Sequence, residues 1–170
     1  MLTNLPNRVL FREQLEAEFG RIQGGRGFAV HCLDLDHFKD VNDTLGHPVG
    51  DELLKLVAAR LIEAVPASDF IARIGGDEFA LTLPGLDEVH AGKILKDLDG
   101  LCDLNNQFYS TASSRLSLSA GLATSRDGES LEATARRADN AMYEAKRDFY
   151  TTVANDRRQR DMLGLPAVTN

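Results

Sequence analysis

The pattern of apolar and polar positions along the chain predicts alternating helices and strands. Apolar residues at helical spacing predict helices over residues 9–19, 49–65, 86–108 and 131–147. Short apolar runs predict strands over residues 28–35, 69–74, 79–83 and 116–123. The order helix, strand, helices, two strands, helix, strand, helix predicts an α+β fold, with an antiparallel-rich sheet flanked by helices on one or both faces.

Local signals define where several of these elements end. In the first helix the apolar positions are Val9, Leu10, Leu15 and Phe19, and the glycines at positions 24, 25 and 27 end it. The two middle strands are joined by Gly75-Gly76-Asp77-Glu78, and a short glycine-rich connection of this kind predicts a β-hairpin. Residues 151–170 form a polar tail or linker to which we assign no element.

Size and charge narrow the classes of function. A chain of 170 residues with 43% hydrophobic content is expected to form one compact domain. Its formal net charge of −7 argues against binding long nucleic acid, which requires a basic face. A small polyphosphate is compatible with this charge, because carboxylates can hold it through a divalent cation.

The apolar stretches of the chain are too short to cross a membrane. None approaches the roughly 20 residues needed to cross a bilayer. We therefore expect no direct membrane contact by this domain and a cytoplasmic setting, which includes the cytoplasmic part of a larger, membrane-anchored sensor protein. Cys32 lies in an apolar run and is expected to be a small core residue.

Acidic residues gather at the end of the first predicted strand and in the hairpin. Asp34 and Asp36 alternate with Leu35 and therefore share one face of the chain. With Asp77 and Glu78 they offer the oxygen ligands that Mg²⁺ prefers, and a cation would relieve the repulsion between them. Asp34 and Asp36 are equally suited to cap the next helix, so spacing alone leaves both interpretations open.

Two further pairs of residues suit a nucleotide. Gly75 and Gly76 permit unusual backbone angles and let an anion approach the main chain, although most such pairs only make a tight turn. Asn42 and Asp51 carry polar groups that suit a purine edge, and a carboxylate suits the N–H donors of guanine. From the residues alone, a turn pair at Asn42-Asp43 and a helix-start role for Asp51 are the more frequent outcomes.

Histidines and lysines carry weaker signals. His37 and His47 lack the spacing of a helical zinc site, so we assign them structural roles. Lys39 and Lys146 are ordinarily solvated surface cations and become candidate phosphate ligands only if a polyphosphate binds.

Four sequence blocks follow one another in a specific order. They are Leu2-Thr3-Asn4-Leu5-Pro6-Asn7-Arg8, the run from Asp34 to Asp51, Gly75-Gly76-Asp77-Glu78-Phe79, and Ala138-Asp139-Asn140-Ala141-Met142-Tyr143-Glu144-Ala145-Lys146. Together they resemble the signatures of the GGDEF family of diguanylate cyclases, over about residues 2–148. We therefore expect a domain over residues 1–150.

This resemblance implies a fold and an activity. The fold is a palm-like, nucleotidyl-cyclase-like domain that carries the glycine motif on a β-hairpin. The activity is the condensation of two GTP into cyclic di-GMP, with release of pyrophosphate, across a facing homodimer.

The resemblance also implies roles for individual residues. Asp34, the Leu35 carbonyl, Asp77 and Glu78 would hold Mg²⁺, or Mn²⁺ in its place. The substrate would be bound by Phe38, Asn42, Asp51, Leu54, Gly75, Gly76 and Lys146, with Asn42 and Asp51 on guanine and Phe38 and Leu54 as walls for the base. Asp77, Glu78 and Lys39 would serve catalysis, and Lys39 and Lys146 would neutralise the triphosphate.

Three departures from the family pattern affect these expectations. Phe149 and Tyr150 replace a Gly-Arg pair whose arginine contacts phosphate, and neither Arg147 nor Arg157 aligns with it. The run Pro66-Ala67-Ser68-Asp69 replaces an Arg-x-x-Asp product-inhibition site. An aspartate ahead of the Leu-Thr block is absent, as expected of a fragment of a longer protein.

The leading hypothesis is therefore a diguanylate cyclase domain. Tyr150 favours an alternative, a GTP-binding regulatory module without turnover that controls an attached domain such as an EAL phosphodiesterase. A purely structural or dimerising domain is a third hypothesis.

Overall fold

A computed structural model of the chain describes residues 2–22, 27–66, 69–84, 88–109 and 116–162. The helices are α1 (Arg8–Ile22), α2 (Phe38–Leu45), α3 (His47–Ala64), α4 (Glu88–Tyr109) and α5 (Leu131–Met162). The strands are β1 (Phe28–Asp36), β2 (Phe70–Arg73), β3 (Glu78–Pro84) and β4 (Ser117–Thr124). Several predicted features lie outside the described residues, namely the glycines at 24 and 25, the helix start at 86, residues 67 and 68 of the replaced motif, residues 163–170 of the tail and the side chain of Arg157.

Strand β1 lies in the middle of a four-stranded sheet with the order β2-β3-β1-β4. It pairs antiparallel with β3 and with β4, and β2 pairs antiparallel with β3. The predicted α+β fold, the antiparallel sheet and the hairpin between β2 and β3 are thus confirmed.

Side chains of β1 alternate between two hydrophobic cores, because successive residues of a strand point to opposite faces. Ala29, Leu33 and Leu35 belong to a core that also takes residues from α3 and α4. Phe28, Val30 and Cys32 belong to a second core, with residues from α1 and α5. Helices therefore cover both faces of the sheet.

The buried face of α1 differs from the predicted one. Phe11 and Leu15 are buried, whereas Val9 and Leu10 are 63% and 45% exposed. Phe11 stacks on Phe70 of β2 with ring centroids 6.4 Å apart. Packing against the sheet therefore decides which face of α1 is buried. The spacing of apolar residues along the helix did not predict this face.

One helix extends beyond its predicted boundary, and another forms where no helix bounds were predicted. The last predicted helix was expected to end at residue 147, but α5 continues to Met162. No glycine or proline occurs between residues 148 and 162, so nothing in the chain stops the helix. Asn42 and Asp43, the possible turn pair, lie inside α2.

Candidate functional site

The two aspartates at the end of β1 are buried and point toward α5. Asp34 is 3% exposed, and its Oδ1 atom lies 2.6 Å from Nζ of Lys146 on α5. Asp36 accepts hydrogen bonds from the hydroxyls of Ser119 (2.6 Å) and Ser117 (3.1 Å) on β4. Helix α2 has His37 as its N-cap and no side-chain cap. The alternative that these aspartates cap the next helix is therefore wrong.

Pairing between β1 and the hairpin brings the predicted metal ligands to one end of the sheet. Asp34 lies opposite Glu78 in the β1–β3 register. The Leu35 N–H donates to the Asp77 carbonyl over 3.2 Å. Burial, followed by the negative charge of Asp34, raises the pKa of Asp77 above its usual value.

Crowded carboxylates of this kind suit a hard divalent cation, which prefers oxygen ligands. Among the residues that the structure describes, no three acidic, histidine or cysteine side chains already form a ligand cluster. Lys146 instead supplies positive charge at Asp34. Burial lowers the pKa of Lys146, but the hydrogen bond and charge of Asp34 outweigh this effect and raise it overall. The carboxylate oxygens are of the kind that Mg²⁺ prefers, but the described side chains do not converge into a ligand cluster.

The glycines of the hairpin act differently from the prediction. Neither Gly75 nor Gly76 has a backbone angle in the left-handed region. A Cβ atom at Gly75 would lie 2.4 Å from Oε2 of Glu78, whereas one at Gly76 would meet nothing within 4 Å. Gly75 is therefore required to make room for the Glu78 side chain, not to provide an unusual turn.

Two arginines that sequence reasoning missed hold the hairpin in place. Arg8 donates from Nε to the Ile74 carbonyl (2.9 Å), and its Nη2 lies 3.4 Å from Oε2 of Glu78. Arg73 donates from Nη2 to the Gly76 carbonyl over 2.6 Å. Arg8 is the last residue of the first sequence block, and its place in that block was the signal that could have identified it as a candidate. Through its contact with Glu78, this block helps to orient the Glu78 side chain.

A cavity of about 810 Å³ lies between α2 and α5, next to the end of β1. Its lining includes Phe38, Lys39, Asp77 and Lys146, which were all predicted, and also Tyr150 and Val153. Its volume lies within the roughly 300–1,000 Å³ of small-molecule sites. Positively charged lysines and an acidic residue of the hairpin therefore line the same cavity. These charges and this volume suit a nucleotide whose phosphates are bound through a metal ion.

Asn42, Asp51 and Leu54, which were predicted to bind guanine, are not among the residues that line this cavity. Asn42 is one helical turn from Phe38 on α2, and Asp51 is exposed near the start of α3. Leu54 is only 2% exposed and belongs to the hydrophobic core. Asn42 and Asp51 are therefore accessible from one side of α2 and α3, whereas Leu54 lies beneath this surface.

Gly50, which was not singled out from the sequence, packs closely against Asn42 and Phe38. A Cβ atom at this position would lie 1.9 Å from Oδ1 of Asn42 and 3.2 Å from Cζ of Phe38. The absent side chain allows Asn42 to pack against α3 beside Asp51. The sequence signal was the presence of a glycine inside a predicted helix, because a glycine at such a position often allows close packing.

Phe149 and Tyr150, which replace the Gly-Arg pair, pack on His37. The three ring centroids are 5.1 to 5.7 Å apart. His37 has a left-handed backbone conformation (φ 63°), and its Nδ1 lies 2.8 Å from Oδ2 of Asp40. Burial raises the pKa of Tyr150 above its usual value. The replacement thus joins α5 to the start of α2.

Arg147, considered as a substitute for the missing arginine, does not line the cavity. It lines a neighbouring groove on α5, which shares Lys146 and Tyr150 with the cavity. In the described part of the chain, no helix is long and apolar enough to span a bilayer.

An antiparallel sheet with helices on both faces, acidic strand ends and a glycine hairpin define a palm-like α+β domain akin to nucleotidyl cyclases. The family model described as "Diguanylate cyclase, GGDEF domain" matches residues 1–150. The chain belongs to the GGDEF family.

Curated relatives support this assignment. The chain is 37% identical over 147 residues to diguanylate cyclase DgcP of Pseudomonas aeruginosa, covering 86% of this chain and 22% of the relative. It is 42% identical to the bifunctional diguanylate cyclase/cyclic di-GMP phosphodiesterase MucR of the same species, covering 85% of this chain and 21% of MucR. The chain thus spans about a fifth of the length of these relatives.

Solved structures show the same fold. The GGDEF domain of DgcB from Caulobacter crescentus, in complex with c-di-GMP, superposes with a TM-score of 0.73 at 32% identity. The match covers 87% of this chain and 89% of the DgcB domain chain.

Proposed function

We propose that this chain is a diguanylate cyclase domain that condenses two GTP into cyclic di-GMP and two pyrophosphates, with Mg²⁺ and across a facing homodimer. The observation that carries the proposal is the meeting of Asp77, Lys39 and Lys146 in one cavity beside Asp34. The relative DgcP is named a diguanylate cyclase. We further propose that the domain acts in the cytoplasm as part of a longer protein.

The residues of the cavity supply what phosphoryl transfer requires, namely positioning and charge neutralisation. Lys39 and Lys146 would neutralise the phosphates, and Asn42 and Asp51 would orient guanine through its N–H donors. Asp34, the Leu35 carbonyl, Asp77 and Glu78 would hold Mg²⁺, which when bound supplies Lewis-acid stabilisation of phosphate charge. Arg8 keeps the Glu78 carboxylate at the hairpin.

A product assay tests this activity. Purified protein with GTP and Mg²⁺ should form cyclic di-GMP, at a specific rate that rises with protein concentration because the active unit is a dimer. Asp77→Asn should lower this rate by about 100-fold or more, as expected for lost electrostatic stabilisation. The exposed Asp127→Asn is the matched control and should retain the rate. Absence of product in a forcibly dimerised domain would contradict the proposal.

A second candidate is a GTP-binding regulatory module without turnover, attached to a phosphodiesterase domain. Two observations favour it: Tyr150 stands where the family has a phosphate-binding arginine, and the relative MucR is named as bifunctional. Calorimetry that shows GTP–Mg²⁺ binding, lost in Asp51→Ala, together with no product would select this candidate.

Comparing wild type with Tyr150→Arg separates the two. A sharp rise in product formation in the variant means that the missing arginine limits catalysis. If wild type is active and Tyr150→Arg has the same rate, another cation takes the place of the missing arginine.

A further inference from the structure

Lys146 occupies one oxygen of a carboxylate that was predicted to bind Mg²⁺. Its Nζ atom donates to Oδ1 of Asp34 over 2.6 Å, and the two residues lie 112 positions apart in the chain. The side chain of Asp34 is only 4% exposed, and that of Lys146 is 30% exposed. The ammonium group therefore neutralises a carboxylate that is almost fully buried, and such a charge is costly without a partner.

Glu78, another predicted metal ligand, is also paired with a cation of the chain. Its Oε2 atom lies 3.4 Å from Nη2 of Arg8, and both of these side chains are more exposed than Asp34. The pair of Asp34 and Lys146 is shorter and less accessible to water, and is therefore the stronger of the two. These two pairings account for the lack of a converged ligand cluster among the residues that the structure describes.

The Lys146 ammonium group has a second anionic partner within its reach when a phosphate chain enters the cavity. Lys146 lines that cavity together with Lys39 and Asp77. An ammonium group carries three N–H donors at the end of a flexible four-carbon stem. It can therefore redirect its donors from a carboxylate oxygen to a phosphate oxygen.

We propose that Lys146 exchanges between two anions, competing with a divalent cation for Asp34 and transferring to the phosphate chain when a guanine nucleotide binds. A divalent cation that binds Oδ1 of Asp34 on its own must displace the ammonium group and leave it without a partner. When a triphosphate binds as well, the displaced ammonium group gains a phosphate oxygen. Lys146 is thus a positioning residue that makes metal and triphosphate bind cooperatively. This inference rests on the proposed guanine-nucleotide site.

Removing the charge of Lys146 tests the exchange. Lys146→Gln and Lys146→Met both lack the ammonium group, and methionine keeps an apolar stem. The matched control is Lys96→Gln on α4, since Lys96 is exposed and does not line the cavity. Mn²⁺ binding to the protein alone would be measured from the electron paramagnetic resonance signal of free Mn²⁺. Calorimetry at saturating Mn²⁺ would measure binding of the α,β-methylene analogue of GTP, which cannot react.

We expect the two affinities to change in opposite directions in both Lys146 variants and to stay unchanged in Lys96→Gln. Mn²⁺ affinity without nucleotide should rise about tenfold, because the competing ammonium group is gone. Affinity for the analogue should fall about tenfold, because a charge-assisted phosphate contact is lost.

An ion pair that only supports the fold would not produce opposite changes. Unchanged or lower Mn²⁺ affinity in the Lys146 variants, with the analogue still bound by wild type, would overturn the exchange alone. Unchanged affinity for the analogue in these variants would also overturn it. Failure of every protein to bind Mn²⁺ and the analogue would contradict the proposed function as well.

Discussion

Gly50 and Asn42 show how a residue without a side chain makes room for one that we propose contacts guanine. Asn42 was predicted to contact guanine from its place in a sequence block, but nothing in the linear chain showed that Gly50 would lie against it. The contact depends on how α2 folds back on α3 at Gly46, whose positive φ of 88° is suited to glycine. The requirement for Gly50 becomes visible only once both helices are placed.

We expect Gly50→Ala to weaken guanine-nucleotide binding more than it weakens the fold. The new Cβ would force the Asn42 amide away from its position, so GTP affinity should fall about tenfold, which corresponds to one hydrogen bond to the base. The free energy of unfolding should change by less than about 1 kcal/mol, since alanine favours helices and the Asn42 side chain can rotate.

Calorimetry with GTP and urea unfolding together measure the two effects of Gly50→Ala. Gly100→Ala is the control, because its Cβ would meet nothing within 4 Å. Equal GTP affinity in Gly50→Ala and wild type would show that Asn42 does not contact the base.

His31 is a buried histidine whose ring nitrogens have no hydrogen-bond partner among the described residues. It is 0% exposed, and burial lowers its pKa from 6.5 to about 4. Between these values the unfolded chain binds a proton that the folded chain does not. Stability from His31 is therefore complete above about pH 6.5 and is lost as the pH falls toward 4.

Urea unfolding at pH 7 and pH 4.5 should reveal this loss. At the lower pH, wild type should lose about 2 kcal/mol more of its free energy of unfolding than His31→Leu does, since one pKa unit is about 1.4 kcal/mol. His47→Gln, at an exposed histidine, is the control and should follow wild type. A His31→Leu variant with the same acid sensitivity as wild type would contradict the assignment.

Single-residue patterns predicted part of the candidate site. Lys39, Asp77 and Lys146 were all found at the cavity, because strand alternation and ordered sequence blocks constrain where they lie. The ring contacts between His37 and Tyr150 were not predictable, because they join residues more than 100 positions apart through the docking of two helices.

Among the elements, α5 and β4 pack unusually closely. A Cβ atom at Gly121 of β4 would lie 2.1 Å from the Ala138 carbonyl oxygen and 2.2 Å from the Met142 nitrogen on α5. These are backbone atoms of a helix and cannot move independently. Gly121 therefore allows the approach that brings Lys146 to Asp34.

Gly121→Ala should destabilise the protein by about 3 kcal/mol, the upper range for overpacking, because α5 must move off the sheet. Gly92→Ala on α4, where a Cβ meets nothing within 4 Å, should instead be neutral or stabilising by up to about 1 kcal/mol. Thermal and urea unfolding measure both changes. A Gly121→Ala variant as stable as wild type would mean that α5 packs farther from β4.

The boundaries of an element could be predicted where apolar residues extend to its ends. They were missed where the ends of the element are polar. β1 was predicted to within one residue of its end because both of its faces are buried. The last turns of α5 carry polar side chains and lie outside both cores, so hydrophobic spacing gave no sign of them. Helix propensity and the absence of glycine and proline were the better guide there.

At the scale of the whole molecule, the last turns of α5 divide into a part that contacts the cavity and a part that does not. Val153 and Ala154 line the cavity, whereas Arg158 and Met162 are exposed. Among the side chains that the structure describes, the two cores take none of α5 beyond Met142.

Two truncations follow from this division. A stop after Asn155 should change the free energy of unfolding by less than about 0.5 kcal/mol, because it leaves the core residues of α5 and the ring contacts on His37 in place. A stop after Arg147 also removes the ring contacts on His37, so we expect a loss of about 1 kcal/mol and faster amide exchange at His37. Urea unfolding and hydrogen exchange measure these changes. Equal behaviour of the two truncations would mean that Phe149 and Tyr150 add nothing to the fold.

The central strand also protects the chain against misfolding. A shift of β1 by one residue would exchange the positions of Leu33 and Leu35 with those of Asp34 and Asp36. Two carboxylates would then enter the larger hydrophobic core, and two leucines would face the serines of β4. Burying two carboxylates among apolar side chains would strongly destabilise such a sheet. The same alternation that places Asp34 beside Lys146 therefore also favours the native register of the folding chain.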